Sequence, residues 1–165
     1  MIYSNSDIRK KGRQLEEKSA RKLLKKGEYG VLSMLSEKSN IYGIPISYVW
    51  DGDKFIYLHC ALEGRKLRGI DKNNNVSFCV VGRTNVISEK FTTDYESIIL
   101  ECQAYMNLDD EERMNALILI LDKYSPNDKT VGLKYAEKSF KRTEIIRLEV
   151  KKWSGKCNLN KPTTK

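Results

Sequence analysis

Histidine is almost missing from this 165-residue chain, with His59 as the only one. Any Ser-His-Asp arrangement would have to be built on that residue, and no such constellation is evident. Cysteine occurs four times, at Cys60, Cys79, Cys102 and Cys157. No two of these are spaced as C-x-x-C, and one histidine adds little, so neither a metal site nor a disulfide framework is indicated. Three of the four fall in strand-like runs, where a free thiol behaves as a small apolar side chain. No apolar stretch approaches the ~18 residues that a membrane span needs. The segment Met1 to Ser6 lacks the basic-then-apolar order of a secretion signal. A soluble, cytoplasmic protein is the expectation. Repeats, low-complexity tracts and linkers are also missing, which predicts one domain over 1–165 with flexible ends at 1–12 and 158–165.

What is present is enough to build a core: 40% of the residues are hydrophobic. The net charge is +8, from 30 basic and 22 acidic residues. Such an excess suits an anionic partner, whether nucleic acid, a membrane surface or a phosphorylated ligand, and composition does not choose among them. Much of it sits in short runs toward the ends, such as Arg9-Lys10-Lys11 and Lys151-Lys152, where solvation is the commoner role. Aromatic residues are not interleaved with these runs as a base-stacking platform requires, which argues against nucleic acid.

Along the chain, Leu15, Ala20, Leu23 and Leu24 recur at helical spacing, and Gly27 stops a helix over about Glu16 to Lys26. Strands are predicted at Tyr29 to Ser36 and Ile41 to Trp50, joined by the turn Glu37-Lys38-Ser39-Asn40. Pro45 lacks the donor that a central ladder needs, so the second of these strands lies at an edge, bulges or bends there. Either a bend or a plain edge position accounts for it; a bend would leave main-chain groups of Ile46 and Ser47 free for a ligand. The tight turn Asp51-Gly52-Asp53 leads into a third strand, Lys54 to Cys60. A short helix is expected over Lys66 to Asn73, and a fourth strand over Val76 to Val81. Residues 82–94 have no regular period and are expected to form a long polar loop. The fifth strand runs from Tyr95 to Leu108. Asp109-Asp110-Glu111-Glu112 then opens a helix whose stripe, Met114, Leu117, Ile118 and Leu121, faces the core. A second helical piece is expected over Val131 to Phe140, and Ile146, Leu148 and Val150 mark a sixth strand with one wet face. The fold class is therefore mainly β within α+β: a six-stranded antiparallel sheet closing as a small barrel, with flanking helices.

One stretch stands out chemically. The third strand delivers His59, Cys60 and Ala61 to its end, and Glu63-Gly64-Arg65-Lys66 follows at once. A glycine and two cations at the start of a helix offer main-chain donors and positive charge to a phosphate. A solvated helix start would use the same residues. For His59 the choice is between a proton source near neutral pH and a hydrogen-bonded barrel histidine. Trp50 and Trp153 read as packing residues.

Taken in order, Gly27 to Leu32, Tyr42-Gly43-Ile44-Pro45-Ile46-Ser47-Tyr48, Tyr57 to Ala61 and Glu63 to Lys66 resemble the nitroimidazole-resistance branch of the pyridoxamine-phosphate-oxidase-like proteins. Tyr95 to Ile99, Asp110 to Arg113, Lys123 to Pro126 and Trp153 to Lys156 extend the likeness to roughly residues 13–157. The resemblance implies an FMN-binding split barrel acting as a homodimer, with flavin at the subunit interface. It implies that Arg65 and Lys66 bind the FMN phosphate, with Gly64 replacing a serine of the oxidases proper. Pro45, Ile46, Ser47 and Tyr48 would lie along the isoalloxazine, beside His59, Cys60 and Ala61. Ser97 or Gln103 would complete the site from the neighbouring subunit, and His59 would take part in the chemistry. A reduction of a small, for example nitroaromatic, substrate follows, with neither nucleic acid nor membrane as partner. The alternative within the same barrel is a non-enzymatic flavin or haem binder. True pyridoxamine-phosphate oxidase activity is disfavoured, because residues 157–165 carry no basic, histidine-containing motif.

Overall fold

In the computed structural model residues 1–158 are described; the rest of the segment expected to be a flexible tail, 159–165, lies outside them. The elements follow as β1 (Ile2–Tyr3), α1 (Glu17–Lys26), β2 (Tyr29–Leu35), β3 (Ile41–Ser47), β4 (Val49–Trp50) and β5 (Phe55–Ala61). Then come α2 (Arg65–Lys72), β6 (Asn75–Ile87), β7 (Thr92–Tyr105), α3 (Asp110–Tyr124), α4 (Lys129–Ser139) and β8 (Thr143–Asn158). The sheet runs β3-β2-β6-β7-β8-β5-β4, with β1 added on β8, making eight strands where six were expected. Every pairing along that path is antiparallel, and only β1 lies parallel to its neighbour. The architecture is a mainly antiparallel split β-barrel with four helices.

The extra strands have distinct causes. The expected strand from Ile41 to Trp50 is cut at Tyr48 into β3 and β4, which occupy opposite ends of the sheet. The two edges are thus joined across one residue, which forces the sheet to curl without closing its ladder. Pro45 lies on β3, opposite Val31, so the proline is tolerated where the outer side of an edge strand needs no ladder donor. The other addition, β1, corrects the expectation for residues 1–12. Ile2 and Tyr3 pair with Lys152 and Trp153. The Tyr3 ring meets Trp153 edge-on at 4.8 Å, and its hydroxyl donates to the Leu15 carbonyl. The Asn5 side chain accepts from the Gly155 amide at 3.0 Å.

A second correction concerns residues 82–94. In place of a loop, β6 and β7 continue as a two-stranded arm from Thr84↔Tyr95 to Ile87↔Thr92, after a register shift beyond Val81. Phe91, at φ 49°, turns the arm. Val86 and Phe91 are exposed on it. With little else packed on the arm, the alternation that reveals a half-buried strand never develops.

Inward-facing side chains of the strands form the core: Leu32 and Met34, Ile56 and Leu58, Phe78 and Val80, Ile98 and Leu100, Ile146 and Leu148, with α1 covering one end through Ala20, Leu23 and Leu24. A smaller cluster lies outside the barrel, where Val49, Tyr57 and Ile145 meet Ala116, Leu117 and Ala136 of α3 and α4. The N-terminus of α3 is capped by Asp109, whose carboxylate accepts from the Glu112 amide at 2.8 Å, and three acids occupy its first turn.

Tyr48, off the ladder, is fully buried and held from two sides. Its amide donates to the Tyr124 hydroxyl at 2.9 Å, and its carbonyl accepts from the Lys123 ammonium at 2.7 Å. Its own hydroxyl donates to the Leu24 carbonyl at 2.6 Å. Removing the Tyr124 hydroxyl would leave the Tyr48 amide without its acceptor, a loss of about 1–3 kcal/mol. Tyr124→Phe is therefore expected to lower stability by that amount in urea unfolding, and Tyr135→Phe, at a hydroxyl on a ring 68% exposed, to leave it unchanged.

Candidate functional site

The site is built where β5 ends. Along this strand Ile56, Leu58 and Cys60 belong to the barrel core, whereas Phe55 and Tyr57 pack against the helical layer. His59 follows the second set. It stands opposite Ile145 on β8 and borders a cavity of about 570 Å³. Cys60 and Ala61 share this cavity with Leu117 and Leu121 of α3 and Ala136 of α4. The imidazole has an edge open to solvent but crowded surroundings. Burial first, and the Lys66 charge second, lower its pKa below the usual 6.5. At neutral pH the ring is uncharged, with one nitrogen donating and the other accepting.

Three residues on, Gly64 precedes α2, and Arg65 and Lys66 form its first turn. The Arg65 guanidinium lies 4.0 Å from the centre of the Tyr42 ring on β3, so α2 bridges the split between β5 and β3. Lys66 reaches the other way. Burial raises the Cys60 thiol pKa, while the Lys66 charge and hydrogen bond oppose it. Of the nearby acids, Glu37 pairs with Arg68 at 2.6 Å and Glu63 pairs with the same guanidinium, whereas Glu144, opposite Cys60 on β8, has no ion-pair partner among the described residues. Among the described residues, neither Arg65 nor Lys66 has a carboxylate ion-pair partner.

On β3, Pro45 and Ser47 are exposed, while Ile44 and Ile46 pack on the core. Tyr48, expected beside the cofactor, is fully buried with its hydroxyl and both main-chain groups engaged within the chain. Its observed part is to hold the split. Ser97 sits on β7 between Val81 and Lys156. Gln103 lies on the same strand between Asn75 and Glu149, accepting from the Tyr105 hydroxyl at 3.0 Å. Six residues of strand place these two about 20 Å apart, and neither borders the His59 cavity. One chain thus brings together His59, Cys60, Ala61, Arg65 and Lys66, and leaves Ser97 and Gln103 elsewhere.

Five contributors carry no signal of their role in the sequence. Tyr42, the ring under Arg65, was visible only as part of a strand. Arg142 and Tyr135 line the His59 cavity from the segment after α3, whose placement no local pattern reveals. Lys123 and Tyr124 read as a helix end, yet with Ser47, Tyr29, Lys25 and Lys26 they border a second cavity of about 620 Å³. Among the described residues, no cluster of three or more His, Cys, Asp or Glu could hold a metal ion.

The comparison with known sequences follows this geometry. The profile of the pyridoxamine 5'-phosphate oxidase family matches residues 16–157. The chain belongs to this family. No curated protein gives a match. Among solved structures, the chain is similar to a proposed 5-nitroimidazole antibiotic resistance protein from Bacteroides thetaiotaomicron, at 17% identity and a TM-score of 0.70, covering 86% of this chain and 84% of that one. It is similar to an FAD-binding protein from Mesorhizobium loti at 18% identity and a TM-score of 0.61, covering 89% and 98%. An FAD- and haem-binding protein from Mycobacterium smegmatis gives 17% identity and a TM-score of 0.72, covering 91% and 75%. At such identities these likenesses show the split-barrel fold. Among the described residues, no helix of this family member is long and apolar enough to cross a membrane.

Lys123 offers a pH test of the clamp on Tyr48. Its ammonium lies 3.7 Å from the centre of the Tyr48 ring, and burial lowers its pKa from 10.5 to about 8, with Glu28 opposing. Between those values the unfolded chain holds a proton that the folded chain has released, so this group makes stability rise with pH across the window. Below about 8 both states are charged and the contribution is flat. Urea midpoints are expected to rise less, or fall more, from pH 8 toward 10 in Lys123→Met than in the parent; parallel profiles would contradict the assignment.

Proposed function

We propose that this chain binds FMN at the split between β3 and β5 and acts as an oxidoreductase of the nitroimidazole-resistance kind, with flavin held where two copies of the chain meet. The observation that carries this reading is the cation pair at the start of α2. A helix N-terminus already favours an anion, yet here it carries Arg65 and Lys66 while Glu37 and Glu63 are bound to Arg68. A phosphate monoester supplies the charge that this arrangement lacks. A guanidinium gives it a planar fork and an ammonium a point charge. A side chain at Gly64 would meet nothing within 4 Å, so the approach to the helix start is open.

The remaining residues suit a planar ring system beside that phosphate. β3 is an edge strand, so one side of its main chain is available to a ligand near Pro45, Ile46 and Ser47. His59, neutral at pH 7, sits on the strand across the slit with its ring in the cavity under α3 and α4, where it can donate to or accept from a bound substrate. Bound flavin would supply electron transfer to a small acceptor, and this chain's own task is then to position, to exclude water and to manage a proton at the imidazole. Two of the structural relatives are named as FAD-binding, which agrees with a flavin, and a third is named for resistance to a 5-nitroimidazole antibiotic, which agrees with a nitroaromatic acceptor.

A dimer is supported by the outer face of the sheet. Pro45, Val31, Cys79 and Ile99 fall in one cross-strand row on β3, β2, β6 and β7. Ile99, Val81 and Tyr29 remain between 52% and 60% exposed there, an apolar surface suited to a second copy. Such a copy would bring its own Ser97 or Gln103 toward the flavin. Free thiols at all four cysteines suit a reducing, cytoplasmic setting.

The test is the flavin content of purified protein. Each charge-assisted contact to phosphate contributes about 1.5–3 kcal/mol, so Arg65→Ala with Lys66→Ala is expected to weaken FMN binding at least ~100-fold. Equal flavin content in parent and double variant would overturn the assignment. Haem absorbance in place of flavin absorbance would favour the non-enzymatic binder, which the Mycobacterium smegmatis relative keeps in view.

A further inference from the structure

The cavity beside His59 has a chemical bias that the flavin reading does not use. Its walls from α3 and α4 are apolar: Leu117, Ile120, Leu121 and Ala136. The polar groups that border it are His59, Cys60, Tyr135, Ser139, Arg142 and Thr143, and no Asp or Glu does. Two of these hydroxyls are turned away onto main chain. Ser139 donates to the Ala136 carbonyl at 3.3 Å, and Thr143 donates to the Ser139 carbonyl at 3.0 Å. Arg142 and His59 are left as the groups able to address a ligand's charge.

Arg142 is presented on a fixed support. Arg113 of α3 donates to the carbonyls of Phe140 and Thr143 at 3.0 and 2.8 Å, and its guanidinium lies 4.2 Å from the centre of the Phe140 ring. The turn from Phe140 to Thr143 is thereby pinned to α3. Arg142 itself makes no ion pair or hydrogen bond among the described residues. A favourable charge at the end of α4 is not its distinctive role, because Lys138 and Lys141 already supply one there.

We propose that this cavity is the substrate pocket and that it selects a small aromatic or aliphatic carboxylate, the carboxylate on Arg142 and the apolar body between α3 and α4. The assignment of the ligand as substrate rests on the flavin reading, whereas its binding does not. The walls argue for this class over inorganic anions. A small hydrated dianion loses too much solvation against leucine and alanine side chains, but an apolar acid buries its body there and presents its charge to a guanidinium fork. The volume of about 570 Å³ suits a ligand of one or two rings.

The probes are 4-nitrobenzoate, benzoate and the neutral isostere 4-nitrotoluene, titrated by calorimetry into protein with and without added FMN. The two acids are expected to bind at least ~10-fold more tightly than the neutral compound. Arg142→Gln should remove that preference and leave binding of 4-nitrotoluene unchanged, while Arg142→Lys should keep part of it. Arg142 is exposed, so thermal unfolding of both variants without ligand should match the parent. Equal affinity for acid and neutral compound, no binding of any acid, or a preference that survives Arg142→Gln would overturn the proposal. Selective acid binding by protein that takes up no flavin when FMN is added would sink the flavin reading and leave the binding of the acid at Arg142 standing.

Discussion

A chain that leaves one edge of a sheet and joins the opposite edge one residue later must find partners for its main chain away from both ladders. Tyr48 is that residue, and the helix α3 supplies the partners. Lys123 and Tyr124, the last two residues of α3, take its carbonyl and its amide, while its hydroxyl reaches back to α1. An unpaired buried main-chain group costs about as much as a whole hydrogen bond contributes, or more. The barrel can therefore stay split only because a helix inserted after β7 returns to satisfy the slit. Without α3 the same strands would have either to close or to expose Tyr48.

The split in turn decides where chemistry can occur. An open ladder leaves β3 as an edge, and the strand that faces it across the gap ends in His59, Cys60 and Ala61. The next residues start α2, so its cations arrive at the same place, with Arg65 against Tyr42 of β3 and Lys66 acting on His59 and Cys60. Two acids that might have neutralised them, Glu37 and Glu63, are drawn off by Arg68. Charge, an open edge and a neutral imidazole meet because one topological feature, a sheet whose ends are consecutive in sequence, brings them together.

Much of this was legible in the residues. The four helices lie close to where periodicity and stop signals put them, and Pro45 narrowed its strand to an edge, a bulge or a bend, of which the structure takes the edge. The order of short motifs was enough to indicate the family. Three things were not legible. The break at Tyr48 carries no local signal, since a tyrosine between Ser47 and Val49 continues a good strand pattern. The β6–β7 arm hides its strands, because residues with little packed against either face have no reason to alternate. The pairing of β1 with β8 joins residues about 150 positions apart, and no window along the chain contains both. The cavity's Arg142 is hidden for a similar reason: its position depends on Arg113 holding a turn roughly 30 residues away.

The insert of α3 and α4 thus has two duties that cannot be separated. The C-terminal end of α3 clamps the split, while its middle, through Leu117 and Leu121, and its start, through Arg113 and the turn carrying Arg142, build the His59 cavity. The start is fixed a second time, because Glu112 accepts from Arg147 of β8 at 2.9 Å and from the Tyr57 hydroxyl of β5 at 2.9 Å. A helix anchored at both ends transmits displacement rather than absorbing it, since packed side chains have few alternative arrangements. The hold on the split and the wall of the cavity are thus parts of one packed element, and that follows from where the insert lies in the fold.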